Sequence, residues 1–139
     1  MATERILAVD VGGKRYGLAQ SDPFRLFATP IGTFDEQGVI DRITDIRKSD
    51  HVSTLVVGWP LNMDGREGEA TARAEAFIRI CGGRFPDLVC VRLDERLTSV
   101  MAQRTILESG VNRKRRQDKG LVDTVAAAHL LQSYLDSKR

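Results

Sequence analysis

An excess of charge of one sign is the first thing this sequence lacks. Its 21 Lys and Arg face 19 Asp and Glu, a formal net charge of +2 over 139 residues, so the average excludes an overall basic nucleic-acid coat and leaves only local clusters to consider. Cysteine and histidine are scarce, at two each. Cys81 and Cys90 match no metal-ligand or redox spacing, which excludes a thiolate zinc site and indicates a reduced, cytoplasmic setting. Neither His51 nor His129 has a partner at ligand spacing. No apolar run reaches transmembrane length, and the stretch before Asp10 is too short for a secretory signal, so no membrane partner is expected. Internal repeats, low-complexity segments and linkers are also missing. What remains is 42% apolar and 29% charged, the balance of one globular domain spanning residues 1–139.

Within that domain RILAVDVG and YGLAQSD read as strands joined by a tight turn at Gly12, Gly13 and Lys14, and LFATPIGTF as a third strand whose Pro30 favours a sheet edge. The pattern then changes. VIDRITDIRK has helical spacing, Val52 to Val57 is a buried strand, residues 68–80 form an amphipathic helix and LVCVRL returns to strand. Thr98 or Ser99 caps a helix through Leu107, with Gly110 as its stop, and a final helix runs from about Leu121 to Leu135. The order predicts an α/β fold: a five-stranded mixed sheet, three antiparallel strands then two parallel, flanked by helices.

Three acidic positions stand out against this frame. Ala126, Ala127, Leu130 and Tyr134 follow Asp123 on one helical face, which puts its carboxylate among core-facing neighbours, while His129, Gln132 and Ser133 fall on the opposite, wet arc. Asp10 shares a strand face with Ile6 and Ala8. Asp94-Glu95 ends the fifth strand, where α/β sheets place their sites, and alternation with Val91 and Leu93 favours Glu95. A carboxylate aimed into a helix–sheet interface is costly unless a cation meets it. Clustered carboxylates with few histidines suit Mg²⁺ or Mn²⁺, and a pair of such ions can hydrolyse a phosphodiester.

Positive charge gathers around these acids. Lys14 and Arg15 follow Asp10 across the glycine turn, and NRKRRQDK holds Arg113, Lys114, Arg115, Arg116 and Lys119 just before Asp123; with Arg96 they are the candidate phosphate contacts. The GGKRYG turn lacks the order of a nucleotide-binding P-loop. Asp22 reads as a turn residue, and Trp59 as core packing with base stacking as the alternative.

Four segments carry a resemblance: DVGGKRYGLAQSD at 10–22, VVGWPLNMDG at 56–65, DERLTS at 94–99 and VDTVAAAHLLQSYL at 122–135. In that order and spacing the chain resembles the YqgF family, also called RuvX, Holliday junction resolvase-like proteins with an RNase H-like fold. The resemblance implies a metal-dependent nuclease with Asp10, Glu95 and Asp123 as catalytic and metal-binding residues, Mg²⁺ or Mn²⁺ as cofactor, and the 16S rRNA precursor or branched DNA as substrate. It implies a monomer or a homodimer. Related RuvC-type resolvases carry a second aspartate three residues after the helix aspartate, where this sequence has Ala126; fewer fixed ligands imply weaker metal binding and count against junction cleavage. A nucleic-acid-binding factor of ribosome assembly without turnover is the competing expectation, whereas an actin-like ATPase needs two such lobes around a cleft.

Overall fold

The computed structural model describes residues 4–60, 68–94 and 119–138, with side chains described from residue 124 onward in the last segment. Its elements are β1 (Arg5–Val11), β2 (Tyr16–Ser21), β3 (Ala28–Phe34), α1 (Glu36–Ser49), β4 (Val52–Trp59), α2 (Glu69–Arg84), β5 (Val89–Asp94) and α3 (Lys119–Ser137). The sheet order is β3-β2-β1-β4-β5. β1 pairs antiparallel with β2 and parallel with β4, β2 pairs antiparallel with β3, and β4 parallel with β5. This is the expected mixed sheet. The helix expected after Thr98 or Ser99 lies outside the described residues.

Strand alternation sorts the core into two layers. Leu7, Val9, Val11, Leu18, Leu55 and Val57 pack beneath α1 and α2, while Ile6, Ala8, Ala19 and Val56 pack beneath α3. α1 begins where the Asp35 carboxylate accepts the Gly38 N–H at 2.7 Å, a side-chain cap for an otherwise orphaned donor. Val39, Ile40, Ile43 and Ile46 recur at threes and fours and are buried. In α2, Phe77 is 1% exposed, which contributes roughly 2–3 kcal/mol of apolar burial. Pro30 lies in the outermost strand β3, and the β2–β3 register shifts between Leu18 and Ala19, beside the Ala19–Pro30 pair. A proline withholds a ladder donor, so an edge with an irregularity is where it costs least.

Two expectations need correction. α2 runs to Arg84 rather than 80, through Gly82 and Gly83, because Cys81 and Phe85 are buried on either side of the pair and packing outweighs the glycines' low helix propensity. The arc of α3 expected to be wet is wet only at Ser133: His129 and Gln132 are half-buried. The Gln132 Oε1 accepts the Ala28 N–H at 2.9 Å and its Nε2 donates to the Leu26 carbonyl at 3.2 Å. α3 packs on the start of the edge strand there, and an amide side chain satisfies backbone groups that no further strand reaches.

Candidate active site

Asp10 sits on the central strand β1, 8% exposed, on the α3 side of the sheet with Ile6 and Ala8. Its antiparallel partner is Gly17, which pairs in turn with Thr33 of β3. On the other side Val9 pairs with Val57, so Gly58 continues the row, and Gly58 pairs with Leu93 of β5. The buried carboxylate therefore stands between two glycines, with no side chain beside it in either neighbouring strand. Glycine in a strand interior gives up packing and commonly marks a close approach of ligand or backbone.

α3 is registered over this row. The hydroxyl groups of Thr33 and Thr124 are in hydrogen-bond contact, and Gln132 holds Leu26 and Ala28 two turns further on. Asp123, the residue before Thr124, lies in α3; Ala126, Ala127, Leu130 and Leu131, which follow it at helical spacing, are all buried against the sheet. Its side chain is outside the described set. On β5, Leu93 packs in the layer beneath α3 while Asp94 is exposed. Glu95, Arg96, Arg113, Lys114, Arg115 and Arg116 lie outside the described residues, as does most of the loop following Trp59. Among the described residues no three His, Cys, Asp or Glu side chains form a metal-binding group; one hard oxygen donor of the expected three, Asp10, is described.

The β1–β2 turn occupies Gly12 to Arg15, one residue longer than expected: the Gly12 N–H donates to the Arg15 carbonyl at 2.8 Å, and Val11 pairs with Tyr16. A Cβ on Gly12 would stand 2.6 Å from that carbonyl oxygen, whereas one on Gly13 would meet nothing within 4 Å. Only Gly12 is required by close approach. The turn carries Lys14 and Arg15, both exposed, at the Asp10 end of β1. Tyr16 anchors its base: the ring packs on Phe77 at 5.2 Å between centroids, and the hydroxyl donates to Glu36 at 3.2 Å. Burial first, and the Glu36 carboxylate second, push the phenol above its ordinary pKa.

Other candidates resolve into structural roles. Asp22 is the expected turn residue, accepting the N–H groups of Phe24, Leu26 and Phe27; these hydrogen bonds, that of Phe27 foremost, hold its carboxyl below the usual range. Trp59 packs against the α1–α2 layer, with the Arg92 guanidinium 4.3 Å over its ring. Burial pushes the Cys81 thiol up to about 12 and raises Cys90 too, so both stay protonated and unreactive. The residues sequence reasoning missed are Gly17, Thr33, Thr124 and Gln132. Gly17 gave a signal, being a glycine inside an alternating strand; a Thr–Thr contact between distant segments gave none.

With this geometry in place, comparison with known proteins decides the family. A family model described as RuvX: Holliday junction resolvase matches residues 4–137. The chain belongs to the RuvX family. Its RuvX relatives include a protein of Chlorobium phaeobacteroides (strain BS1) named "Putative pre-16S rRNA nuclease", 42% identical over 134 residues, which cover 96% of this chain and 93% of that one. A Bacteroides fragilis protein of the same name is 41% identical, covering 97% and 98%. Among solved structures, Thermus thermophilus RuvC in complex with a Holliday junction substrate aligns with a TM-score of 0.57 at 11% identity, over 97% of this chain and 95% of that one. At that identity the likeness concerns the fold, and the fold of this RuvX chain is RNase H-like.

Proposed function

We propose that this protein is a nuclease that hydrolyses phosphodiester bonds with divalent metal ions, its substrate being the 5′ region of the 16S rRNA precursor. The observation that carries this reading is the placement of Asp10: a carboxylate buried at the centre of the sheet, on the α3 side, between Gly17 and Gly58. Membership of the RuvX family and the names of its relatives support it.

Asp10, Glu95 and Asp123 would hold Mg²⁺ or Mn²⁺. An oxygen-only donor set without histidine or thiolate suits these hard cations. Strand alternation continued past Leu93 supports Glu95 over Asp94, and the buried stripe from Ala126 to Leu131 supports the same side of the sheet for Asp123. The chemistry such ions would supply there is activation of water and stabilisation of charge on the leaving oxygen. The protein's own contribution is positional. β1 fixes Asp10, the flanking glycines leave room for a sugar-phosphate chain, and Lys14 and Arg15 offer cations to phosphates near the scissile one; Arg96, Arg113, Lys114, Arg115 and Arg116 would extend that surface.

Cleavage of branched DNA is the second reading, favoured by the family description and the RuvC fold. Against it stands Ala126, buried at 1% exposure with no ligand atom to offer. The deciding experiment incubates the purified chain with Mg²⁺ or Mn²⁺ and end-labelled precursor RNA, single strands and a four-way junction, alongside Asp10→Asn and Asp123→Asn. Cutting of the precursor that both variants abolish, with RNA binding retained, is the expected result. Equal activity in the variants would end the proposal, and binding without cutting in the parent would make the chain an assembly factor.

A further inference from the structure

Among the described residues four large hydrophobic side chains are exposed, and three of them, Phe24, Leu26 and Phe27, stand in the six-residue loop between β2 and β3. Its own hydrogen bonds close this loop. The Asp22 N–H donates to the Phe27 carbonyl, its carbonyl accepts the Arg25 N–H, and its carboxylate takes the N–H groups of Phe24, Leu26 and Phe27 at 2.7–3.0 Å. Arg25 at the tip has φ 58°, the only non-glycine residue with positive φ among those described. A long side chain occupies that region at a cost that glycine would avoid. The loop thus holds two phenyl rings, 71% and 66% exposed, and a guanidinium out in water, where none of them gains burial.

The loop forms one wall of a groove of about 310 Å³ whose other wall is the end of α3. Buried Ile6 and Leu135 form its floor, the Phe24 and Tyr134 rings stand on it, and Arg25 and Lys138 supply cations. Among the described residues no acid lines it. The acids in the adjoining segments are turned to other donors: Asp22 to the three loop N–H groups, and Asp136 to the Gln132 amide at 3.1 Å. The Lys138 ammonium lies 5.3 Å over the Tyr134 ring. Rings interleaved with cations match a single-stranded nucleic acid, which offers flat base faces and a negative backbone together; a paired helix offers the charge but keeps its base faces stacked away.

The groove shares a face of the sheet with the candidate active site. Ile6 lies on the Asp10 side of β1, roughly 13 Å along the strand from that carboxylate. A second groove, of about 320 Å³, runs between Ala28, Pro30 and the Val125–Gln132 face of α3. The surface between β3 and α3 therefore leads from the Thr33–Thr124 contact, in the Asp10 row, to the loop.

We propose that the groove between Phe24 and Tyr134 is a second RNA subsite, which takes unpaired nucleotides some way along the strand from the bond cut at Asp10: a base against the two rings, its phosphates on Arg25 and Lys138. This rests on the reading above that the substrate is RNA. The path between the two sites is roughly 16 Å along α3 from Thr124 to Leu135, a span of several nucleotides. A substrate with an unpaired flank reaches both sites, whereas fully paired junction arms reach only Asp10. The subsite therefore selects for a single-stranded stretch beside the cut.

Fluorescence anisotropy of a labelled single-stranded oligoribonucleotide on the full chain, with EDTA present so that no cutting intervenes, tests the subsite apart from the chemistry. Phe24→Ala should weaken binding roughly tenfold. Arg25→Gly, which suits the backbone at the tip and so keeps the loop, and Lys138→Gln should each lower the slope of log K against log salt by about 0.7. Circular dichroism and binding of a blunt RNA duplex should not change. Single-strand binding indifferent to all three variants overturns the proposal, as does a chain that binds no single-stranded RNA. Variants that lose a bound protein while RNA binding stays would assign the loop to protein docking and overturn it equally. Loop-dependent binding by a chain that cuts nothing with Mg²⁺ or Mn²⁺ upholds the subsite and ends only the nuclease reading.

Discussion

The hydroxyls of Thr33 and Thr124 meet between the edge strand β3 and helix α3, and Thr33 lies in the same cross-strand row as Gly17 and Asp10. Together with the Gln132 contacts to Leu26 and Ala28, this hydrogen bond registers the helix that carries Asp123 against the sheet that carries Asp10, although neither acid takes part in it.

Replacing Thr124 by Val removes that contact while keeping the side chain's shape, and leaves the Thr33 hydroxyl without this partner. A loss of about 1 kcal/mol in thermal or urea unfolding is expected. Cleavage should fall further than stability, by tenfold or more, if α3 carries the proposed metal ligand Asp123, because a misplaced helix would displace it. Equal rates at matched folded fraction would show that the apolar face of α3 and the Gln132 contacts position it without the Thr33–Thr124 bond.

Metal binding should be visible without any turnover. A cation held by Asp10 stabilises only the native state, by about 1.4 kcal/mol at ten times Kd, or roughly 5 °C in Tm for a chain of this size. Mn²⁺ or Mg²⁺ should raise the Tm of the wild type, EDTA should reverse the rise, and Asp10→Asn should abolish it. Calorimetric titration gives an independent reading of the same loss.

The two turn glycines should respond in opposite ways. Gly12→Ala drives a Cβ against the Arg15 carbonyl oxygen, 2.6 Å away, and the backbone must shift, at a cost of roughly 1–3 kcal/mol. Gly13→Ala meets nothing within 4 Å and should change stability by less than about 0.5 kcal/mol. If Lys14 and Arg15 bind phosphate, the first variant also raises KM for RNA.

Asp22 gives a pH signature. Its carboxyl lies below the usual range in the folded protein because three backbone N–H groups bind the ionised form. The stability it contributes is therefore complete above the unfolded value of about 4 and is lost as pH falls through the folded one. Asp22→Ala should flatten the acid limb of the stability curve and speed amide exchange at Phe24, Leu26 and Phe27 near neutral pH, with little change at Ile43 or Val57.

Much of this architecture was legible in the sequence because its signals are local. Alternation placed Asp10 with Ile6 and Ala8, and helical spacing put Ala126, Ala127 and Leu130 on one buried face of α3. Pro30 marked an edge. Reading stopped where the deciding contact is long-range. Gln132 falls on the polar arc of α3 by periodicity, yet it holds the backbone of Leu26 and Ala28, and no periodicity records where an edge strand passes. Gly82-Gly83 resembles a helix stop, yet burial of Cys81 and Phe85 carries α2 past it. The turn lysine and arginine were legible as charges, and the Arg25 backbone conformation was not, since arginine is an unusual occupant of that region.

α3 follows in sequence every strand it covers. Until it is synthesised, Ile6, Ala8, Ala19 and Val56 face solvent on one side of a sheet whose other side is already clothed. A chain shortened by its last helix would be a sticky, half-dressed sheet rather than a crippled enzyme, so quality control would meet it as a substrate for chaperones and proteases before it met any RNA.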